Sequence, residues 1–306
     1  MKYILLVLAT FLAISSCQNS SESNADQITI GVTMLSMQNE FIVNVADEMQ
    51  KKADEMGVKL IIVDAERSAL KQMEQVESFI AQQVDAIIMN PCEVEASSPA
   101  VARAIAAKIP IINVNSETSA TPTAFVGSND VESARIAMNY IAERLGGKGK
   151  LLMIHGFMGQ AAQIQREEGA KEILKSYPEI ELIAEQTGEW DRSKSMDLMQ
   201  NWIQSYGDGI DAVFAHNDEM GMGAVKALEN AGMKDKVIVV SIDAIKDALQ
   251  AVQKGSLDAT VFQNAQKQGS TAIETALKLI KGETVDQQTL IPFELVTKEN
   301  VDQFLK

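Results

Sequence analysis

The sequence predicts an α/β protein built from two doubly wound parallel-sheet halves, and three observations predict it. From Ile28 onward, short β-branched runs alternate with longer segments of helical periodicity, the order expected of parallel βαβ units. Several of the short runs are continuously apolar rather than alternating, as strands are when helices cover both faces of their sheet. The alternation breaks once, between Thr118 and Asp130, where Pro122 and Gly127 interrupt an extended segment, and a new series starts at Val131. The joint between the halves therefore falls near Gly127–Asp130. With 306 residues the chain has the length of two domains and enough residues for a sizeable core.

In chain order, Ile28–Thr33 is the first strand, followed by a helix over Asn39–Met56 for which Asn39 is a candidate N-cap. Lys59–Val63 is the next strand, Lys71–Gln83 the next helix, and Ala86–Asn90 and Ile109–Val114 are apolar strands. In the second half a helix over Val131–Leu145 starts beside Asp130, another candidate cap. The strand Lys150–Ile154, the helix Gln160–Ser176, the run Leu182–Thr187 and the helix Lys194–Tyr206 follow. Ala212–Ala215 is a strand, Met220–Ala231 a helix with Asp218 as a cap candidate, Val237–Ile242 and Ala259–Gln263 strands, and Gln268–Ile280 a helix.

The N-terminus reads differently. Lys2 precedes an apolar run, Ile4–Ile14, that is short for a membrane span, so residues 1–16 read as a signal peptide. Ile14-Ser15-Ser16-Cys17 resembles a bacterial lipobox. Cleavage there would leave Cys17 as a lipidated N-terminus and residues 17–26 as a flexible tether in the bacterial cell envelope, in the periplasm or on the outer surface. Cys92 is the only other cysteine and reads as a small packing residue. A net charge of −15 argues against nucleic acid as a partner, because phosphate binding needs concentrated Lys and Arg.

Ligands of doubly wound sheets bind beyond the carboxyl ends of the strands, so the residues after each strand are the informative ones. They are Gln38, Asn39 and Phe41; Asn115 and Ser116; His155 and Gln160 to Arg166; Trp190 and Asp191; Asn217 and Asp218; Asp243; and Gln263. Planar amides, carboxylates, a guanidinium and two aromatic rings suit a neutral polyol, whose hydroxyls both donate and accept. No nucleophile–base set with a recognisable signature emerges. His216 beside Asp218 is the one feature that would support catalysis, and a packing role competes with that. Gly221-Met222-Gly223-Ala224 lies in a helical pattern and lacks the spacing and lysine of a phosphate loop.

The motifs Gln38-Asn39-Glu40-Phe41, Ile88-Met89-Asn90-Pro91, Ile109-Pro110-Ile111-Ile112, Val126-Gly127-Ser128-Asn129-Asp130, Asn217-Asp218-Glu219-Met220 and Ser241-Ile242-Asp243-Ala244 follow one another along the chain. In these, and from Gln27 to Leu305, the chain resembles the periplasmic sugar-binding proteins of ABC importers, in the ribose- and galactose-binding class with the type 1 periplasmic binding fold. Leu145-Gly146-Gly147-Lys148-Gly149, Trp190-Asp191-Arg192, Thr260-Val261-Phe262-Gln263 and Ile291-Pro292-Phe293-Glu294-Leu295-Val296-Thr297 are most similar to inositol- and rhizopine-binding-like members.

The resemblance implies two lobes joined by three hinge crossovers, near Gly127–Asp130, Gln263–Ala265 and Ile291–Phe293, with the ligand in the interdomain cleft. Residues 27–129 with 265–291 would form the N-terminal lobe, and 130–264 with 292–306 the C-terminal lobe. Phe41 and Trp190 would sandwich a sugar ring, with Asn39, Asn115, Arg166, Asn217, Asp243 and Gln263 binding hydroxyls. Ribose-type members place an arginine where this chain has Ile164, which argues against ribose. Ser116 stands where inositol-like relatives carry a basic residue, and Gln160 and Ala162 replace the His and Asp of galactose binders. The calcium loop of galactose binders is not evident, and neither a metal nor a cofactor is assigned.

The function implied is that of a monomeric substrate-binding lipoprotein, not an enzyme. It would bind a monosaccharide or cyclitol, myo-inositol-like or galactose-like, and deliver it to an ABC permease in the membrane. A sugar-binding sensor component for a histidine kinase or chemoreceptor is the alternative.

Overall fold

The computed structural model describes residues 27–305, so the readings placed on residues 1–26 lie outside the described residues. The first lobe opens with β1 (Thr29–Met34), α1 (Glu40–Met56), β2 (Lys59–Asp64), α2 (Ala69–Ala81), β3 (Ala86–Met89), α3 (Ser98–Ala106), β4 (Ile111–Val114) and β5 (Ala124–Gly127). The chain then builds a second lobe from α4 (Asp130–Arg144), β6 (Lys148–His155), α5 (Ala161–Ser176), β7 (Glu179–Thr187), α6 (Arg192–Tyr206), β8 (Ala212–Ala215), α7 (Asp218–Asn230), β9 (Ile238–Asp243), α8 (Lys246–Lys254) and β10 (Ala259–Phe262). It returns to the first lobe for α9 (Ala265–Ile280) and β11 (Gln288–Leu290), and ends in the second with β12 (Glu294–Thr297). The three passages between lobes thus lie at 127–130, 262–265 and 290–294.

Each lobe holds one six-stranded sheet, ordered β2-β1-β3-β4-β5-β11 in the first and β7-β6-β8-β9-β10-β12 in the second. Pairing is parallel throughout except at β12, which runs antiparallel to β10. β1 pairs with both β2 and β3, and β6 with both β7 and β8. The strand order therefore reverses direction at β1/β3 and at β6/β8, and each reversal leaves a crevice at the carboxyl ends of the strands. The two crevices face each other across the cleft.

Local sequence explains the elements that frame this cleft. In α1, Phe41, Ile42, Val45, Ala46, Met49 and Ala53 bury one stripe, the spacing of a helix lying on a sheet. Asn39 caps it by accepting from Ile42 N at 3.3 Å, and Gly57, at φ +70°, ends it in the left-handed conformation that favours glycine. The strands β3, β4, β5 and β8 are wholly buried, which is why they read as unbroken apolar runs.

Two cap expectations change. Asn217, not Asp218, caps α7, accepting from Met220 N at 3.0 Å. Asp130 is likewise the first helical residue of α4, and Asn129 holds the cap position. Both carboxylates are drawn inward to other partners, described below. The Thr118–Asp130 interruption also contains β5, four buried residues paired between β4 and β11.

Candidate ligand-binding site

All eight predicted residues, Asn39, Phe41, Asn115, Arg166, Trp190, Asn217, Asp243 and Gln263, line one cavity between the lobes. Asn39 comes from the β1–α1 turn, Phe41 from the first turn of α1 and Asn115 from the end of β4. Arg166 projects from α5, Trp190 from the β7–α6 turn, Asn217 from the cap of α7, Asp243 from the end of β9 and Gln263 from the end of β10. Phe41 is 4 % and Trp190 8 % exposed, so both aromatic walls face a nearly closed space. Four cavity residues, Arg67, Asn115, Trp190 and Asp243, have positive φ despite carrying side chains. Backbone strain of this kind gathers where the surrounding fold over-determines a site.

Arg166 is buried and organises the second lobe's wall. Its Nε donates to Asp130 Oδ1 at 2.8 Å, one terminal nitrogen donates to the His216 carbonyl, and the other donates to Gln263 Oε1 at 3.2 Å. Burial pushes the Asp130 carboxyl up, against the opposing pull of Arg166. The guanidinium carbon lies 5.8 Å from the centre of the Trp190 ring, within the range of a cation–π contact. The indole Nε1 donates to Gln160 Oε1 at 2.6 Å. Beneath the indole lies Gly156, where any Cβ would overlap the ring.

Asp218 does not reach the cavity. It is fully buried and accepts from the hydroxyls of Ser241 and Thr260 and, at 2.8 Å, from Ile245 N. Thr260 Oγ1 in turn accepts from Ala244 N at 3.2 Å. The Asp243–Ala244 loop, with φ of +128° and +60°, is therefore tied down by Asp218, which makes Asp218 a support for Asp243. Burial pushes the Asp218 carboxyl up to about 7. Burial also raises Asp243 well above the usual carboxylate range, although Arg166 pulls it down.

His216 is a packing residue. It is fully buried against the rings of His155, Phe214 and Trp190, and burial holds it neutral, far below the usual histidine range. Its functional atom is the backbone carbonyl that Arg166 grips. His155, Glu167 and Glu185 also converge, with candidate ligand atoms within 4.8 Å of one another. The Lys171 ammonium already bridges both carboxylates, at 2.6 and 3.0 Å, so a side chain supplies the positive charge there.

Three polar cavity residues, Ser36, Arg67 and Gln160, were not singled out as binding groups by the sequence reading. Arg67, in the β2–α2 loop, lines the cavity, and the strand-end rule reaches it when applied to Lys59–Val63. Gln160 also lines the cavity, and its carbonyl is occupied by Trp190. That pairing joins residues 30 positions apart and has no signature in spacing. Outside the cavity, three hydrogen bonds join the lobes: Val94 N to Gly159 O at 3.0 Å, Gln165 Nε2 to Glu117 Oε2 at 2.8 Å and Lys246 N to Glu40 Oε1 at 3.3 Å. The lobes are closed on the cavity.

This geometry, two crevices closed on a polar cavity with aromatic walls, defines a binding protein of the two-lobed class. A family model for the periplasmic binding protein domain matches residues 30–284, and the chain belongs to that family of non-catalytic ligand binders. Over 99% of its length and 99% of the relative's, the chain is 39% identical to a putative rhizopine-binding protein of Rhizobium meliloti. It superposes with a TM-score of 0.89, at 40% identity, on an ABC transporter solute-binding protein of Bacillus halodurans solved with bound myo-inositol, covering 92% of this chain and 99% of that one. It is also similar to the fructose-binding periplasmic domain of a hybrid two-component system, with 28% identity, a TM-score of 0.86 and coverage of 91% and 93%. The chain is thus a sugar-binding periplasmic protein of the ABC importer class. No helix among the described residues is long and apolar enough to cross a membrane.

Proposed function

We propose that this chain is the monomeric substrate-binding lipoprotein of an ABC sugar importer. It binds a monosaccharide or cyclitol, myo-inositol-like or galactose-like, by hinge closure, and presents the closed form to a membrane permease. Its lobes are residues 27–129 with 265–291 and residues 130–264 with 292–306, and Cys17 carries the lipid anchor. The observation that carries the ligand class is the cavity itself. Phe41 and Trp190 offer faces for the C–H surface of a ring, and amides, two guanidiniums and the Asp243 carboxylate surround its edge. A missing or inverted hydroxyl would leave one of these buried groups unpaired, at a cost of about 1–3 kcal/mol.

The test is thermal stabilisation of the mature protein by a panel of cyclitols, hexoses and pentoses. A micromolar binder at millimolar ligand adds about 4 kcal/mol of stability. No shift with any member would sink the reading.

The likeness to the two-component periplasmic domain supports the second reading, a sensor for a histidine kinase or chemoreceptor. Reconstituted with its permease in proteoliposomes, an importer component stimulates ATP hydrolysis when its sugar is present. A sensor component leaves that rate unchanged.

A further inference from the structure

The hydrogen-bonding capacity of the cavity is lopsided. Asn39 Oδ1 is taken by Ile42 N, Asn217 Oδ1 by Met220 N, Gln160 Oε1 by Trp190 Nε1, Gln263 Oε1 by Arg166, and Asn115 Oδ1 by Asn90 Nδ2. Four of these partners can only donate, and Asn90 presents its Nδ2 because its own carbonyl is occupied by Leu35 N. The amide orientations follow. Each of these oxygens keeps one free lone pair, while the –NH2 groups of Asn217 and Gln263 are buried without a partner among the described residues.

Arg67 adds a guanidinium whose buried Nε has no partner; among the described residues no carboxylate pairs with it. Against these donors stands one carboxylate, Asp243, which accepts no side-chain hydrogen bond among the described residues, and the Ser36 hydroxyl, which already accepts from Gln38 N at 3.3 Å. On the first lobe's side, Asn39, Asn115 and Arg67 form a wall of donors.

A cyclitol carries one proton on every oxygen and a hexopyranose on every oxygen but the ring oxygen, and each proton needs an acceptor. Here the Asp243 carboxylate is the one side-chain acceptor free of side-chain hydrogen bonds among the described cavity amides and acids, and each amide oxygen of the wall keeps a single lone pair. An oxygen without a proton meets the donor wall with no group left unsatisfied. We propose that the cavity selects oxidised polyols, with a ketone or carboxylate oxygen set against Arg67, Asn39 and Asn115 and a hydroxyl pair placed on Asp243. The inference rests on the sugar- or cyclitol-binding reading and narrows its ligand class. Burial raises the Asp243 carboxyl, and its protonated form would reduce the acceptor capacity further.

The experiment is titration calorimetry with matched pairs: myo-inositol against its 2-keto derivative, and galactose against galacturonate. The expected result is that at least one oxidised member binds about tenfold or more tighter than its parent, the worth of one relieved buried donor. Preference for the ketone identifies a neutral carbonyl ligand. Preference for galacturonate that weakens with salt identifies a carboxylate read by Arg67. In either case Arg67→Gln, shown by its unchanged far-UV spectrum to be folded, should collapse the ratio. Parents that bind as tightly as their oxidised partners overturn the inference while leaving the sugar-binding reading intact, and an unchanged ratio in Arg67→Gln overturns the donor wall. If no member of any sugar panel binds, both readings fall together.

Discussion

At the scale of single residues, the site depends on how Trp190 is held. It sits at φ +59°, its N–H is fixed by Gln160, and its ring rests over Gly156. Trp190→Ala should abolish the ligand-induced change in tryptophan fluorescence, whereas Trp202→Phe, buried in α6, should retain it. The reverse result would mean that the aromatic wall has been misplaced. Gly156→Ala probes the same wall from below. The added methyl must push the indole into the cavity, so we expect about 1–3 kcal/mol of destabilisation from overpacking together with a weaker ligand complex. Urea denaturation and calorimetry would measure the two effects, and unchanged affinity would show that the indole position is not needed for binding.

At the scale of elements, α8 depends on the opposite lobe. Its N-cap, Ile245, has no side-chain cap bond, and the first helical N–H, on Lys246, donates to Glu40 from across the cleft. A lost cap costs about 1 kcal/mol, and this cap exists only with the lobes closed. Glu40→Ala should therefore speed ligand dissociation about fivefold, while Glu40→Gln, which keeps an accepting oxygen, should stay near the parent. Equal rates for the two variants in stopped-flow dissociation would remove the cap from the closing mechanism.

Elements also show what was legible in the sequence. Buried parallel strands such as Ala212–Ala215 and long helices such as α1 stand out because burial on both faces, or along one stripe, writes a strong pattern. The doubly wound arrangement then directs attention to strand ends, which brings all eight predicted side chains to one cavity. The strands β5, β11 and β12 are too short to carry periodicity, and helices α3 and α8 bury an apolar stripe over only nine residues each, short of the roughly ten to twelve that separate a helix from an apolar strand by pattern. They exist through pairing and packing with distant segments. The inward turn of Asp218 is illegible for the same reason: its partners Ser241, Thr260 and Ile245 come from β9, β10 and the β9–α8 turn, and only the folded sheet brings them together.

At the scale of the whole molecule, the second lobe buries more carboxylate than cation. Asp130, Asp218 and Asp243 lie beneath or within the cavity wall, and Arg166 is the guanidinium among them. Burial raises all three carboxyls, Asp218 to about 7, whereas an unfolded aspartate titrates near 3.9. Between those values the folded protein keeps protons that the unfolded chain has released. Its stability is therefore fully present below pH ~4 as far as these groups are concerned, and is lost as pH rises toward 7. One such proton corresponds to a slope of about 1.4 kcal/mol per pH unit within that window. The measurement is the urea unfolding free energy from pH 5 to pH 8 at constant ionic strength. The parent protein should weaken as pH rises toward 7, and Asp218→Asn should make that decline shallower even though the amide disturbs the Asp243 loop. A decline of the same slope in Asp218→Asn would show that the proton resides elsewhere. Ligand that hydrogen-bonds to the ionised Asp243 should reduce the part of the decline that Asp243 contributes, because binding favours release of the proton that burial retains on that carboxyl.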